Sequence, residues 1–211
     1  MSNIYNEIAD ALQNGKHKLI VELTQKAIAD GASPKDVLEK AMFKGMDIVG
    51  EKFAKNEIYV PEVLIAARAM NAGVAILKPL LAAAGSKSVG KACIGTVKGD
   101  LHDIGKNLVA MMLEGKGFQV IDLGVDVPHD KFYQTAVDEK CDIVAVSTLL
   151  TTTMTALPDL IKLFVEKGYR DKVKIMIGGA PISEKFVQSI GADGYAPDAG
   201  SAANLALSYM K

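Results

Sequence analysis

Asp100, His102, Asp103 and Gly105 fall within one eight-residue stretch, Gly99-Asp100-Leu101-His102-Asp103-Ile104-Gly105-Lys106, and their types suit metal chemistry. An imidazole has two ring nitrogens, and a carboxylate that accepts the proton of one fixes the tautomer and leaves the other to a metal. Asp100, two residues before His102, is the candidate carboxylate. A lone loop histidine is more often a surface or hydrogen-bonded structural residue, so the spacing by itself leaves both readings open. His17 and His129 have no comparable surroundings and read as structural. Two further small-residue segments, Ser147-Thr148-Leu149 and Gly178-Gly179, each follow an apolar run.

The elements that would position these residues alternate. Residues 92–97, 118–123, 142–147, 173–177 and a short 193–196 read as strands. Helical patterns lie between and after them, including one over residues 154–167. Continuous apolar strands separated by helices predict a five-stranded parallel sheet covered on both faces, a doubly wound, flavodoxin-like α/β domain. In such sheets ligands bind outside the carboxyl ends of the strands. The Asp100–Gly105 stretch, Ser147–Leu149 and Gly178–Gly179 would meet there.

Residues 3–84 carry helical periodicity without a period-2 segment. Ile4, Ile8 and Leu12 make one stripe, and Leu19, Leu23 and Ala27 a second. A third helix opens at Ser33-Pro34 with Leu38, Met42, Val49 and Phe53 inward. The fourth, opened by Val60-Pro61-Glu62, is apolar almost all round, which predicts burial on more than one side. Its second cover is either the following domain or a large, flat, partly apolar ligand. Pro79 is expected to kink or end it, and residues 84–90 read as a linker and hinge. The predicted architecture is a four-helix bundle over residues 1–87 followed by the α/β domain over residues 88–211.

Of 211 residues, 49% are hydrophobic and 23% charged, with a net charge of −1, which gives no electrostatic case for nucleic acid or an anionic membrane. No apolar run is expected to span a bilayer and the start lacks signal-peptide character, so a cytoplasmic protein is expected. Cys93 and Cys141 lie in apolar runs without metal spacing and read as buried hydrophobes. No G-x-G-x-x-G is present, and the acids around His102 disfavour a pyrophosphate. A phosphoacceptor receiver is disfavoured too, because its acidic cluster around a metal ion does not contain a bracketed histidine.

Taken in order, Asp100-x-His102-x-x-Gly105, Ser147-x-Leu149 and Gly178-Gly179, on a doubly wound domain behind a helical bundle, resemble the cobalamin-binding module of methionine synthase and the corrinoid proteins of anaerobic methyltransferase systems. The resemblance spans residues 3–208. It implies cobalamin or a related corrinoid as cofactor, with His102 as lower axial ligand of cobalt in place of the cofactor's own base. It implies that Asp100 holds the outer ring N–H of His102 and that a hydroxyl at Thr153, within Thr151-Thr152-Thr153, ends this proton relay. Methionine synthase has serine at that position. Gly105 would let the nucleotide tail pass, Ser147 and Leu149 would line the pocket for its base, and Gly178 with Gly179 would let backbone approach the tail closely. Asp103, Ile104 and Thr151 would also bind the cofactor, and Tyr59 and Met70 of the helical cap would cover the upper corrin face.

For Met70 the alternative is bundle core. The implied activity is carriage of a methyl group on cobalt, as a methylcobamide, not catalysis by this chain alone. The implied partners are a donor-specific methyltransferase, an acceptor methyltransferase using tetrahydrofolate, a pterin or a thiol, and a reductive activator. The alternatives are a cobalamin-dependent sensor or regulator, whose cap commonly carries tryptophan, and the small subunit of a cobalamin-dependent mutase, which lacks a cap.

Overall fold

The computed structural model describes residues 2–84 and 88–211, so part of the expected 84–90 hinge lies outside the described residues. The chain divides into two compact units, Met1–Lys87 with Gly115–Gly117, and Ser88–Glu114 with Phe118–Lys211.

The first unit is helical: α1 (Ser2–Gln13), α2 (His17–Ala29), α3 (Pro34–Val37), a π-helical stretch (Leu38–Phe43), α4 (Lys44–Ala54) and α5 (Val60–Ala83). The expected third helix is therefore one rod with a π segment inside it. Val37, Ala41, Met42, Met46 and Val49 are buried along this rod. Gly45 allows α4 to approach α1 closely, since a Cβ there would lie 3.2 Å from the Ala9 carbonyl oxygen.

α5 departs from expectation in three ways. It runs through Pro79 to Ala83. Ala75 and Pro79 are both exposed, so water can take the carbonyl that proline leaves without its N–H partner. Its burial is one-sided: Val63, Ala66, Ala67, Met70, Gly73 and Leu77 form a buried stripe, with Arg68, Asn71 and Lys78 exposed. Finally, Val60–Leu81 is long and apolar enough to cross a membrane by length and composition, with mean hydropathy 1.5. The stripe packs on α1, α2 and α4, which is how a core helix of a bundle uses the same composition.

The second unit is built from β1 (Lys91–Thr96), α6 (Ile104–Gly115), β2 (Gln119–Asp122), α7 (His129–Asp138), β3 (Ile143–Ser147), α8 (Thr151–Met154), α9 (Leu157–Glu166), a 3-10 turn (Arg170–Lys172), β4 (Lys174–Gly178), α10 (Glu184–Ser189) and α11 (Ala199–Ser208). All strands are parallel in the order β2-β1-β3-β4. The direction of winding reverses at β1, so the crevice that binds ligands in such sheets opens between the ends of β1 and β3. α7, α9 and α10 share one face, where Phe132, Phe164 and Val187 pack with Cys93, Val144 and Ile175. Each of the two fully buried phenylalanines contributes about 2 to 3 kcal/mol of apolar burial. Right-handed crossover puts α6 on the opposite face. Cys93 and Cys141 are buried free thiols.

Among the described residues four strands form, not five. The 193–196 segment makes only an isolated bridge, Met176 to Gly194. The Asp193 carboxylate takes the place of a strand carbonyl by accepting from the Ile175 N–H at 2.8 Å, while its own carbonyl accepts from Tyr209 Oη at 2.9 Å. Arg170 and Lys174 hold the same carboxylate at 2.7 and 3.1 Å. A side chain anchored in this way blocks pairing on the N-terminal side of the bridge.

The expected helix over residues 154–167 begins only at Leu157, as α9, and Met154 instead closes the separate short helix α8. The Thr155 hydroxyl donates to the Thr152 carbonyl at 2.8 Å, Thr153 Oγ1 lies 3.0 Å from the Leu150 carbonyl, and Pro158 sits in the first turn of α9.

Candidate corrinoid site

β1 ends at Thr96, and the chain then loops through Asp100 and His102 before α6 begins at Ile104. Asp100 is completely buried, whereas the His102 side chain is 52% exposed. Asp100 Oδ1 faces the ring nitrogen Nδ1 of His102 at 2.6 Å and accepts from the His102 backbone N–H at 3.0 Å. With Nδ1 so held, Nε2 is the nitrogen left to a metal. Asp100 Oδ2 accepts from the backbone N–H groups of Leu149 and Leu150, at 2.6 and 3.2 Å, and from Thr153 Oγ1 at 3.3 Å. Burial alone would push the Asp100 carboxyl upward. The donors from Leu149, His102 and Leu150 outweigh it and hold the group well below the usual carboxylate range.

The loop is braced from its other side. Thr96, fully buried, donates through Oγ1 to the His102 carbonyl at 2.7 Å. Asp126 Oδ1 accepts from the Gly99 N–H at 2.7 Å, and the Asp126 N–H donates to the Asp100 carbonyl at 3.0 Å. Asp126 adopts a φ of 55°, the left-handed conformation that an Asx side chain tolerates. Lys106, nearly buried in the first turn of α6, closes on Asp122 at the end of β2 at 2.6 Å. Asp103 stands just before α6, where its negative charge faces the helix N-terminus, and its carboxylate accepts from Asn107 Nδ2 at 3.2 Å.

The other expected residues lie at the strand ends, at bare glycine positions, on the threonine turn and in the helical unit. Ser147 pairs with Thr96 and with Gly178 across the sheet, so the ends of β1, β3 and β4 are level. Around them Leu101, Ile104, Leu149 and Leu150 are exposed by 72, 67, 42 and 38%, an apolar rim beside the half-exposed imidazole. A Cβ on Gly105 or Gly178 would meet nothing within 4 Å, so both positions border open space that a side chain would occupy. Gly179 differs, because its φ of +132° and the overlap that a Cβ would make with the Thr148 carbonyl give it a reason inside the fold. Thr151 is exposed and Thr153 is nearly buried beneath Asp100. In the helical unit Tyr59 is 65% exposed and its N–H donates to Glu62 Oε2 at 3.2 Å as α5 begins. Met70 lies in the buried stripe of α5.

Thr96, Asp126, Thr148 and the Lys106–Asp122 pair are the residues that sequence reasoning passes over. Their one signal is a polar residue beside an apolar strand end, where burial demands a partner.

A half-exposed imidazole locked by a buried carboxylate, an apolar rim and bare glycine positions suit a large metallocofactor with a flexible tail, and the residues fit a corrinoid. Residues 90–204 match the family described as B12 binding domain, and residues 4–78 match a second family of the same description. The α/β unit is thus a B12-binding domain, and the cofactor is a corrinoid.

Relatives narrow the class. A corrinoid protein of Desulfitobacterium hafniense is 39% identical over 97% of this chain and 96% of its own. The trimethylamine corrinoid protein of Methanosarcina barkeri is 41% identical over 96% of this chain and 92% of its own. The crystal structure of the methanol:cobalamin methyltransferase complex from Methanosarcina barkeri superposes with a TM-score of 0.87 at 31% identity, covering 99% of this chain and 80% of that one. The chain belongs to the family of B12-binding corrinoid proteins.

Proposed function

We propose that the protein carries a methyl group between two methyltransferases, one specific for a methyl donor and one for an acceptor such as tetrahydrofolate, a pterin or a thiol. The observation that carries this reading is the Asp100–His102 pair at the strand switch point, in a chain whose full-length relatives are corrinoid proteins of methyl-transfer systems. When bound, the corrinoid supplies a cobalt centre able to take up and release the methyl group.

The protein's own residues do the rest. His102 would hold the cobalt through Nε2, the ring nitrogen that Asp100 leaves free. Asp100 fixes the ring through Nδ1, and the donors around Asp100 keep the carboxylate charged and in place. Gly105 and Gly178 leave room for the tail, and Leu101, Ile104, Leu149 and Leu150 give its base an apolar wall. Tyr59, exposed at the start of α5, is the cap residue assigned to the upper face, while Met70, buried in the stripe of α5, fits the alternative of bundle core. A methylamine or methanol donor is favoured by the names of the relatives and of the methanol complex, and a reductive activator belongs to the same system. A cytoplasmic setting is part of this reading.

The test is to load the wild-type chain and His102→Gln with methylcobalamin and compare absorption spectra. Wild type should show nitrogen ligation from the protein, and the variant should lose it. Identical spectra would remove His102 from the metal.

A further inference from the structure

Thr148 is fully buried between Ser147 and Leu149, and its hydroxyl lies 2.6 Å from Thr153 Oγ1. Its other oxygen neighbours, Asp100 Oδ2 and the Leu150 carbonyl, are both 3.5 Å away. Thr153 Oγ1, by contrast, has two acceptors in closer reach, Leu150 O at 3.0 Å and Asp100 Oδ2 at 3.3 Å. Each hydroxyl has one hydrogen to give. If Thr153 gave its hydrogen to Thr148, Thr148 would be left with two long contacts and Asp100 would lose its nearer hydroxyl donor. If Thr148 gives its hydrogen to Thr153, both hydroxyls are satisfied and Thr153 keeps its hydrogen to share between the Leu150 carbonyl and Asp100 Oδ2.

Thr148 is also held firmly. Its N–H donates to the Gly178 carbonyl at 3.0 Å, and its own carbonyl occupies the space that a Cβ on Gly179 would need.

We propose that Thr148 is a positioning residue for His102, acting by donating to Thr153. A hydroxyl that receives a hydrogen bond becomes a stronger donor, so Thr153 draws charge from Asp100 Oδ2. Asp100 then pulls less on the Nδ1–H of His102, and the Nε2 donor strength toward a metal is set lower than the Asp–His pair alone would give. Gly178 and Gly179 act in this chain by fixing the far end, Thr148. The proposal rests on the reading of His102 as the cobalt ligand, but the hydroxyl wiring can be read without cobalt.

Two measurements test it. In the 15N-labelled chain without cofactor, Thr148→Val should shift the Leu149 amide proton downfield, because Asp100 Oδ2, relieved of part of its hydroxyl donation, accepts more strongly from Leu149. Thr148→Ser should restore the wild-type shift. Thr153→Val should give the same downfield shift, and the double variant should add nothing to it. With methylcobalamin bound, Thr148→Val should raise the ratio of histidine-ligated to unligated cobalt about two- to fivefold, the size expected for one modest hydrogen bond. An unchanged Leu149 amide, additive single variants, or loss of histidine ligation in Thr148→Val would each overturn the proposal. If Thr148→Val fails to fold, Thr153→Val and Thr148→Ser still decide the amide arm. A His102→Gln spectrum equal to wild type would instead sink the underlying ligand assignment while leaving the amide result standing.

Discussion

His129 opens α7 with its Nε2 buried and without a hydrogen-bond partner among the described residues. Burial pushes its pKa below the ordinary 6.5; Asp159 and Asp130 pull upward against this, and Lys98 adds to the lowering. A histidine depressed in the folded state is protonated first in the unfolded chain. Its contribution is therefore complete above about pH 6.5 and is lost as pH falls from there through the folded value. Urea midpoints should fall over that window with a slope from this residue of at most about 1.4 kcal/mol per pH unit, and His129→Gln should remove that share. An unchanged slope in the variant would show that the ring is solvated.

Local separation decides which residue roles were legible. Asp100 and His102 are two positions apart and their pairing could be read directly, whereas Asp126 and Thr148 meet the same loop from 26 and 48 positions beyond Asp100. No spacing rule spans such distances.

At the scale of elements, the four strands and the order of the three motif segments follow from the alternation of apolar runs and helices. Beside the isolated bridge at Gly194, Asp193 competes with the backbone for the Ile175 N–H, a side-chain event that strand periodicity does not encode. The break between α8 and α9 has the same origin in the threonine hydroxyls.

The glycines at strand and helix ends separate fold from binding. Gly179→Ala should destabilise the α/β unit by about 1 to 3 kcal/mol or more, because positive φ and the Thr148 carbonyl both oppose a Cβ. Gly105→Ala meets open space inside α6 and should leave stability unchanged or raise it by up to about 1 kcal/mol, since alanine favours helix over glycine. The same variant should weaken cobalamin binding by filling the space beside the tail. Denaturant unfolding paired with cobalamin titration distinguishes the two glycines. Equal loss of stability at both positions would contradict the assignment.

For the whole molecule, the pattern changes from helical to alternating near residues 84–90 because amphipathic period is set by each unit's own core. The one-sided burial of α5 was not legible: a helix rich in alanine and leucine looks the same whether a bundle, a membrane or a ligand covers it. The proposed corrinoid site lies on loops of the second unit, the B12-binding domain, and this sets where binding energy should appear. A ligand that binds only the folded state stabilises it by about 2.7 kcal/mol at one hundred times its Kd.

Saturating cobalamin should therefore slow amide hydrogen exchange in the loops around Asp100–Ile104 and Thr148–Thr153, and raise the unfolding temperature of the α/β unit. His102→Ala should keep part of that stabilisation, since the tail channel and apolar rim remain, while losing the share that comes from axial ligation. Exchange measured on wild type and His102→Ala, each with and without cobalamin, checks this. Protection absent from both loops in the loaded wild-type protein would place the cofactor elsewhere on the chain.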